Sequence, residues 1–423
     1  MTSLEIFDRL ESDVRGYIRS FPVELSSATG TTIVGADGTE YLDFFAGAGV
    51  LNYGHNNPVL KQALIDYISQ DGITHGLDLA TTAKREFMET FEKHILKPRG
   101  LEYKLQFTGP TGTNAIEASL KLARQVKGRA GVVAFTNAFH GVTVGSLAST
   151  GNKKFRDAAG FSLAHVDRMP YDGYLGDDVD TLDLFERMLN DPSSGLDTPA
   201  AVIVEAVQGE GGTNAASIPW LQRLRELTAQ HDILLILDEI QAGIGRTGTF
   251  FAFEAAGIVP DIVALSKSIS GYGLPMALVL LKPELDIWKP AAHSGTFRGN
   301  NLAFITGKTA IEHYWTDTRF EQQIAHKAGI LQERLDKFVA EFPDYHLALR
   351  GRSMMRGILS TGDHSWATRV AQRAFEKHMV IETSGAHSEV LKFLTALTIE
   401  DSELERGLDI LRDCIVETQP NGS

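Results

Sequence analysis

Residues 233–282, ILLILDEIQAGIGRTGTFFAFEAAGIVPDIVALSKSISGYGLPMALVLLK, decide the fold. An apolar run at 233–237 ends in Asp238 and Glu239, and a second at 262–265 ends at Ser266, Lys267 and Ser268. A third spans 276–281. Short leucine and β-branched runs bounded by glycine, proline and charge are the pattern of strands buried on both faces, so this stretch predicts the interior of an α/β sheet. Ligands of such sheets sit beyond the carboxyl ends of the strands, where Asp238 and Lys267 fall.

A primary amine can hold an aldehyde as a Schiff base, and a nearby acid can keep a pyridine nitrogen protonated. The pair therefore suits pyridoxal phosphate (PLP) chemistry. Taken singly, Asp238 reads better as the cap of a turn and Lys267 as a solvated strand-end lysine. Gly243, Gly245 and Gly248 also form a G-x-G-x-x-G pattern. A dinucleotide fingerprint must open a helix, whereas the residues that follow are aromatic and glycine-punctuated and two acids precede them, so that reading is rejected.

The 423 residues are 43% hydrophobic and 22% charged, which predicts a globular protein with a large core, divided into two lobes. Forty basic against 54 acidic residues give a net charge of −14 with no basic stripe, which argues against nucleic acid. A single cysteine, Cys414, excludes an internal disulfide framework. No apolar leader or membrane-length run occurs, and a cytoplasmic protein is expected.

In chain order, apolar spacing predicts a helix over 3–18 with Ser3 as a possible cap, then a hairpin over 31–44 turning at Asp37 and Gly38. AGAGVLNYGHNNP (46–58) reads as a loop, and helices follow at 58–70 and 81–97. From about residue 103 strands alternate with helices: strands at 104–107, 132–135 and 200–207, helices at 112–127, 142–149 and 219–230. Helices at 302–314, 319–342 and 401–418 and strands at 354–360 and 390–397 complete the chain. The expectation is an α/β fold: a large domain, 61–310, with a mostly parallel sheet. A smaller α+β domain is expected from residues 1–60 and 311–423.

FTGPTGTNAIEASLKLAR (107–124) sets Gly109, Pro110 and Gly112 before an amphipathic helix. The free N–H groups and positive dipole of a helix start bind phosphate, and Thr111 and Thr113 add hydroxyls. Phe139, directly after a strand, could stack on a flat ring. Glu205 and Glu210 flank a glycine-rich loop, and Thr296, Arg298, Asn300 and Asn301 precede a helix. The thirteen histidines are scattered and read as structural or solvated. No metal-ligand spacing occurs.

Together these pieces resemble the class III (ω-amino acid) aminotransferases of PLP fold type I over nearly the whole chain, which implies seven strands in the large sheet. The anchors are TGPTGTNAIEA, FHG, VEAVQGEGG, LDEIQAGIGRTG, SKSISGYGLP and GTFRGN, in the family's order. The resemblance implies that Lys267 carries the cofactor and moves protons, that Asp238 pairs with the ring nitrogen, and that Gln241 lies near the ring hydroxyl. It implies that Phe139 stacks on the ring and that Gly112 and Thr113 hold the phosphate. Thr296 would reach the phosphate of a neighbouring subunit, which implies a homo-oligomer of at least two chains. Glu210 would pair with a late arginine, whose place here is taken by Lys392; lysine keeps the charge but loses the bidentate fork.

ESDVRGYIRSFP, GPTGTNAIEA and AGAGVLNYGHNNP are similar to the branch of the family that forms L-2,4-diaminobutyrate in ectoine biosynthesis. That implies glutamate as amino donor, L-aspartate 4-semialdehyde as acceptor, and potassium dependence. Tyr53, with Ala48 and Leu77, is expected at the substrate pocket. An ω-transaminase for ornithine, 4-aminobutyrate or 1,3-diaminopropane, or an aminomutase or epimerase, would share the same core.

Overall fold

The computed structural model describes residues 4–420. Strands β1 (Leu25–Thr29), β2 (Thr32–Gly35) and β3 (Glu40–Asp43) form an antiparallel meander, with Tyr41 opposite Ile33. Gly38, at φ 86° in the β2–β3 turn, takes a conformation that side chains disfavour.

The large sheet holds β4 (Lys104–Phe107), β5 (Val132–Phe135), β6 (Val166–Met169), β7 (Ala201–Val204), β8 (Leu234–Asp238), β9 (Ile262–Leu265) and β10 (Leu278–Leu281). Their order is β4-β10-β9-β8-β7-β5-β6, and β10 alone runs antiparallel to its neighbours. The expected mostly parallel, seven-stranded α/β sheet is borne out. Successive side chains of β8 enter two different cores: Leu235 and Leu237 join the larger cluster, Leu234 and Ile236 the one under helix Gly112–Lys127. Burial on both faces is why these strands read as unbroken apolar runs.

A third sheet combines β11 (Leu347–Arg352), β12 (Met355–Ser360), β14 (Glu382–Ser384) and β15 (Val390–Phe393) in the order β11-β12-β15-β14, all antiparallel. Between β12 and β14, β13 (Met379–Val380) pairs in parallel with β3 of the first sheet. The Leu394 and Leu397 N–H groups donate to the carbonyls of Phe44 and Asn52. The chain's two ends thus share backbone hydrogen bonds.

The expected helix over 3–18 is instead two short pieces, Glu5–Leu10 and Tyr17–Ser20. Leu10 and Val14 are 69% and 90% exposed, so the apolar spacing there buries no stripe. Ser3 lies outside the described residues. Within loop 46–58 the segment Ala46–Gly49 makes a left-handed turn, with φ of 47°, 58°, 58° and 83° in succession. Edge strand β6, strand β11 and helices Leu182–Asn190 and Trp366–Glu376 were not foreseen.

Candidate active site

The β8–β9 register sets Asp238 opposite Ala264, so Lys267, just past the end of β9, emerges beside the acid. Lys267 has φ 51°, a left-handed conformation that costs a side-chain-bearing residue about 1–3 kcal/mol and persists only where the surroundings enforce it. Its neighbours do so. The Ser266 hydroxyl donates to the Met276 carbonyl at 2.9 Å, and the Ser268 hydroxyl reaches the carbonyls of Gly49 and Val50 at 2.9 and 2.8 Å. Among the described residues, none hydrogen-bonds to or forms an ion pair with the Lys267 amine. Burial lowers its pKa, Glu210 and Asp238 oppose that, and the net shift is downward, toward the neutral nucleophile.

Asp238 is buried and doubly held. Its Oδ2 lies 2.8 Å from His140 Nδ1, and its Oδ1 accepts the Ile240 N–H at 3.1 Å. His140 is buried too, and its Nε2 has no partner. Burial works against an imidazolium there, but the hydrogen bond and charge of Asp238 outweigh it and raise the His140 pKa. The reading of every histidine as structural or solvated is corrected at this position. The only sequence signal was its place beside Phe139 at the end of β5. Glu205, pushed up to about 7 chiefly by burial, accepts the N–H groups of Phe139 and Gly209 at 3.0 and 3.1 Å. The half-buried Phe139 ring meets Phe155 edge-on at 5.3 Å.

At the start of helix Gly112–Lys127 the Thr113 hydroxyl lies 2.6 Å from that of Thr143 and 2.5 Å from that of Ser146. Sequence reading missed the last two, which enter from the chain after Gly141. Any Cβ at Gly112 would come within 2.9 Å of the Ile240 side chain, and one at Gly141 within 2.6 Å of the Thr113 hydroxyl. Both glycines are therefore dictated by close packing around this helix start.

Lys392 on β15 stands opposite Glu382 on β14, and side chains paired in this way lie on one face of the sheet. Its amine is fully buried, 2.8 Å from Glu210 Oε1 and 2.9 Å from Glu382 Oε1. Gln241 Nε2 donates to Glu210 Oε1 at 3.1 Å and to the Ala48 carbonyl at 3.0 Å, tying the left-handed turn to this cluster. Burial would raise Glu210, but the charges of Lys392 and Lys267 bring it down to about 2. Burial dominates at Glu382 and pushes it up to about 7. The expected pairing of Glu210 with Lys392 is present, and Glu382 was missed because an isolated acid in VIETS carries no motif.

Two expected residues are placed elsewhere. Tyr53 is buried in an aromatic cluster, its hydroxyl accepting the Trp315 indole N–H at 2.8 Å and its ring stacked on Tyr314 at 4.8 Å. It is a core residue, and its polar tip is used there. Thr296 is exposed, and among the described residues no hydrogen bond or ion pair joins it to these groups.

The model of the family Aminotransferase class-III matches residues 16–415. The chain belongs to the class III aminotransferases. A diaminobutyrate--2-oxoglutarate transaminase of Bordetella parapertussis is 59% identical over 99% of this chain and 97% of its own length. One of Halomonas elongata is 57% identical over 96% of this chain and 97% of its own length. Among solved structures, an ornithine aminotransferase of Toxoplasma gondii superposes with a TM-score of 0.85 at 24% identity, covering 98% of this chain and 94% of that one. An N-acetylornithine aminotransferase of Stenotrophomonas maltophilia gives 0.76 at 25% identity, covering 98% of both chains.

Class III aminotransferases are PLP-dependent, and this aminotransferase's residues suit that group. A half-buried lysine whose amine has no partner among the described residues suits an aldehyde, and a buried acid braced by an imidazole suits a ring nitrogen. Hydroxyls and free N–H groups at a helix start suit a phosphate.

Proposed function

We propose that this aminotransferase exchanges an amino group between L-glutamate and L-aspartate 4-semialdehyde, forming 2-oxoglutarate and L-2,4-diaminobutyrate, the first step of ectoine biosynthesis. The reading rests on the 59% identity to a transaminase of that name across nearly the full chain.

In this reading Lys267 and Asp238 act on PLP, Gly112 and Thr113 hold its phosphate, and Phe139 and Gln241 border its ring. The bound cofactor supplies an electron sink that acidifies the substrate carbon bearing nitrogen. The chain supplies the rest. Lys267 is tethered where a proton must be taken and returned, so proximity provides much of the rate. His140 and Ile240 hold Asp238 in place, and the acid pairs with the ring nitrogen. Lys392 offers a buried cation to a substrate carboxylate once Glu210 turns away. Residues 1–60 and 311–423 then form the smaller domain over the large one, 61–310. Thr296 serves a neighbouring copy, so the active unit is a cytoplasmic homodimer or a larger assembly.

The test is a panel of amino donors with 2-oxoglutarate, following glutamate. A preference for 2,4-diaminobutyrate over ornithine, 4-aminobutyrate and 1,3-diaminopropane is expected. Equal or better turnover of any of the other three would refute the assignment.

A further inference from the structure

A buried acid, Glu382, and a partly exposed one, Glu210, flank one buried lysine, and the first of them is left unexplained. Glu210 is the expected partner of Lys392, while Glu382 approaches the same amine at 2.9 Å from the neighbouring strand. A structural ion pair needs one acid per base, because each further charge taken out of water is costly. Beyond that ion pair, Glu382 Oε1 is buried and accepts no well-aligned hydrogen bond among the described residues. Tyr17 is a half-exposed residue whose ring packs 4.9 Å from that of Phe45; burial of its hydroxyl, the charges of Glu382 and Glu210 and a hydrogen bond to Glu382 raise its pKa. Lys267 also senses Glu382, so this carboxylate lies within electrostatic range of the reacting amine.

Resting on the diaminobutyrate reading, we infer that Glu382 accepts the α-ammonium group of a substrate whose distal amine reacts at Lys267, while Lys392 takes the carboxylate of the same head. An α-amino-acid head carries one cation and one anion, and Lys392 with Glu382 offers one of each. 4-Aminobutyrate has the same reacting amine and carboxylate but no α-ammonium, so it isolates the contribution of Glu382. Glutamate, reacting through its α-amine, sends a second carboxylate toward this corner. With Glu382 pushed up to about 7 by burial, proton uptake near neutrality relieves the repulsion that carboxylate would meet.

The experiment compares kcat/KM for L-2,4-diaminobutyrate with that for 4-aminobutyrate in the wild-type holoenzyme and in Glu382→Gln. Losing a charged hydrogen-bond acceptor is expected to lower the ratio about 10-fold or more, mainly through KM for diaminobutyrate. A ratio unchanged in a variant that still binds the cofactor overturns the inference. A crystal structure of the wild-type holoenzyme with bound diaminobutyrate tests it without any variant. The α-nitrogen is expected about 3 Å from the Glu382 carboxylate, and a separation beyond about 4 Å overturns the inference. A wild-type enzyme that does not use diaminobutyrate at all refutes the proposed activity itself, which the ratio and the distance keep distinct from failure of the Glu382 role.

Discussion

Lys267 is held in a left-handed conformation by hydrogen bonds of the serines on either side, and its half-buried side chain carries an amine with no partner among the described residues. Such strain is retained where a side chain must point one way. Lys267→Ala removes the amine and keeps the backbone, so kcat is expected to fall by at least about 100-fold and the absorbance of the lysine-bound cofactor to vanish. A variant with wild-type turnover would remove Lys267 from the chemistry. Glu239, next to the acid of the site, behaves differently. It is buried, accepts the N–H groups of Ala252 and Phe253 at 2.8 and 3.1 Å, and is pushed by burial from 4.5 up to about 8. Between those values the folded chain keeps a proton that the unfolded chain has lost, so this group makes stability fall as pH rises through that window. Glu239→Gln cannot titrate, and its unfolding free energy from pH 5 to 8 should decline less steeply, by up to about 1.4 kcal/mol per pH unit. Parallel slopes in urea titrations of the two proteins would show that burial does not perturb Glu239 in this way.

The elements that could be read from the residues are those whose two faces have a single fate. β5, β7, β8, β9 and β10 are buried throughout, and helix Gly112–Lys127 buries one side, so composition and period agree. β6, VDRM, sits at the sheet edge with two exposed residues, and short polar edge strands carry little signal. The same limit applies at the site. Asp238, Lys267 and the helix start at Gly112 announce themselves by position at strand ends. His140, Glu382, Thr143 and Ser146 belong to it only because the chain folds them there. Glu382 and Lys392 become neighbours through a strand register, and no local pattern encodes a register between separate strands. Tyr53 failed for the opposite reason. Its place in a glycine-rich loop suggested a ligand, whereas the loop turns its ring into the core beside Trp315.

At the scale of the molecule, one face remains unexplained by a single chain. Phe297, Leu79 and Ile287 are 67%, 64% and 51% exposed, and Thr296 lies beside the first of them. A cavity of about 930 Å³ opens on the same side, lined by Tyr103, Trp288, His293 and Arg298 among others. Large apolar side chains grouped in this way mark an interaction surface rather than ordinary solvent-facing structure. A net charge of −14 would keep such a monomer dissolved without covering the patch. The proposed occupant is a second copy, because the exposed Thr296 is proposed to serve a neighbouring chain's site from this face. An aspartate at the centre of that contact must lose its hydration or break the contact. Phe297→Asp is therefore expected to sediment as a monomer at micromolar concentration and to lose at least about 10-fold in kcat. With the wild type remaining a dimer or larger under the same conditions, a Phe297→Asp variant of unchanged mass and activity would place the subunit contact on another face.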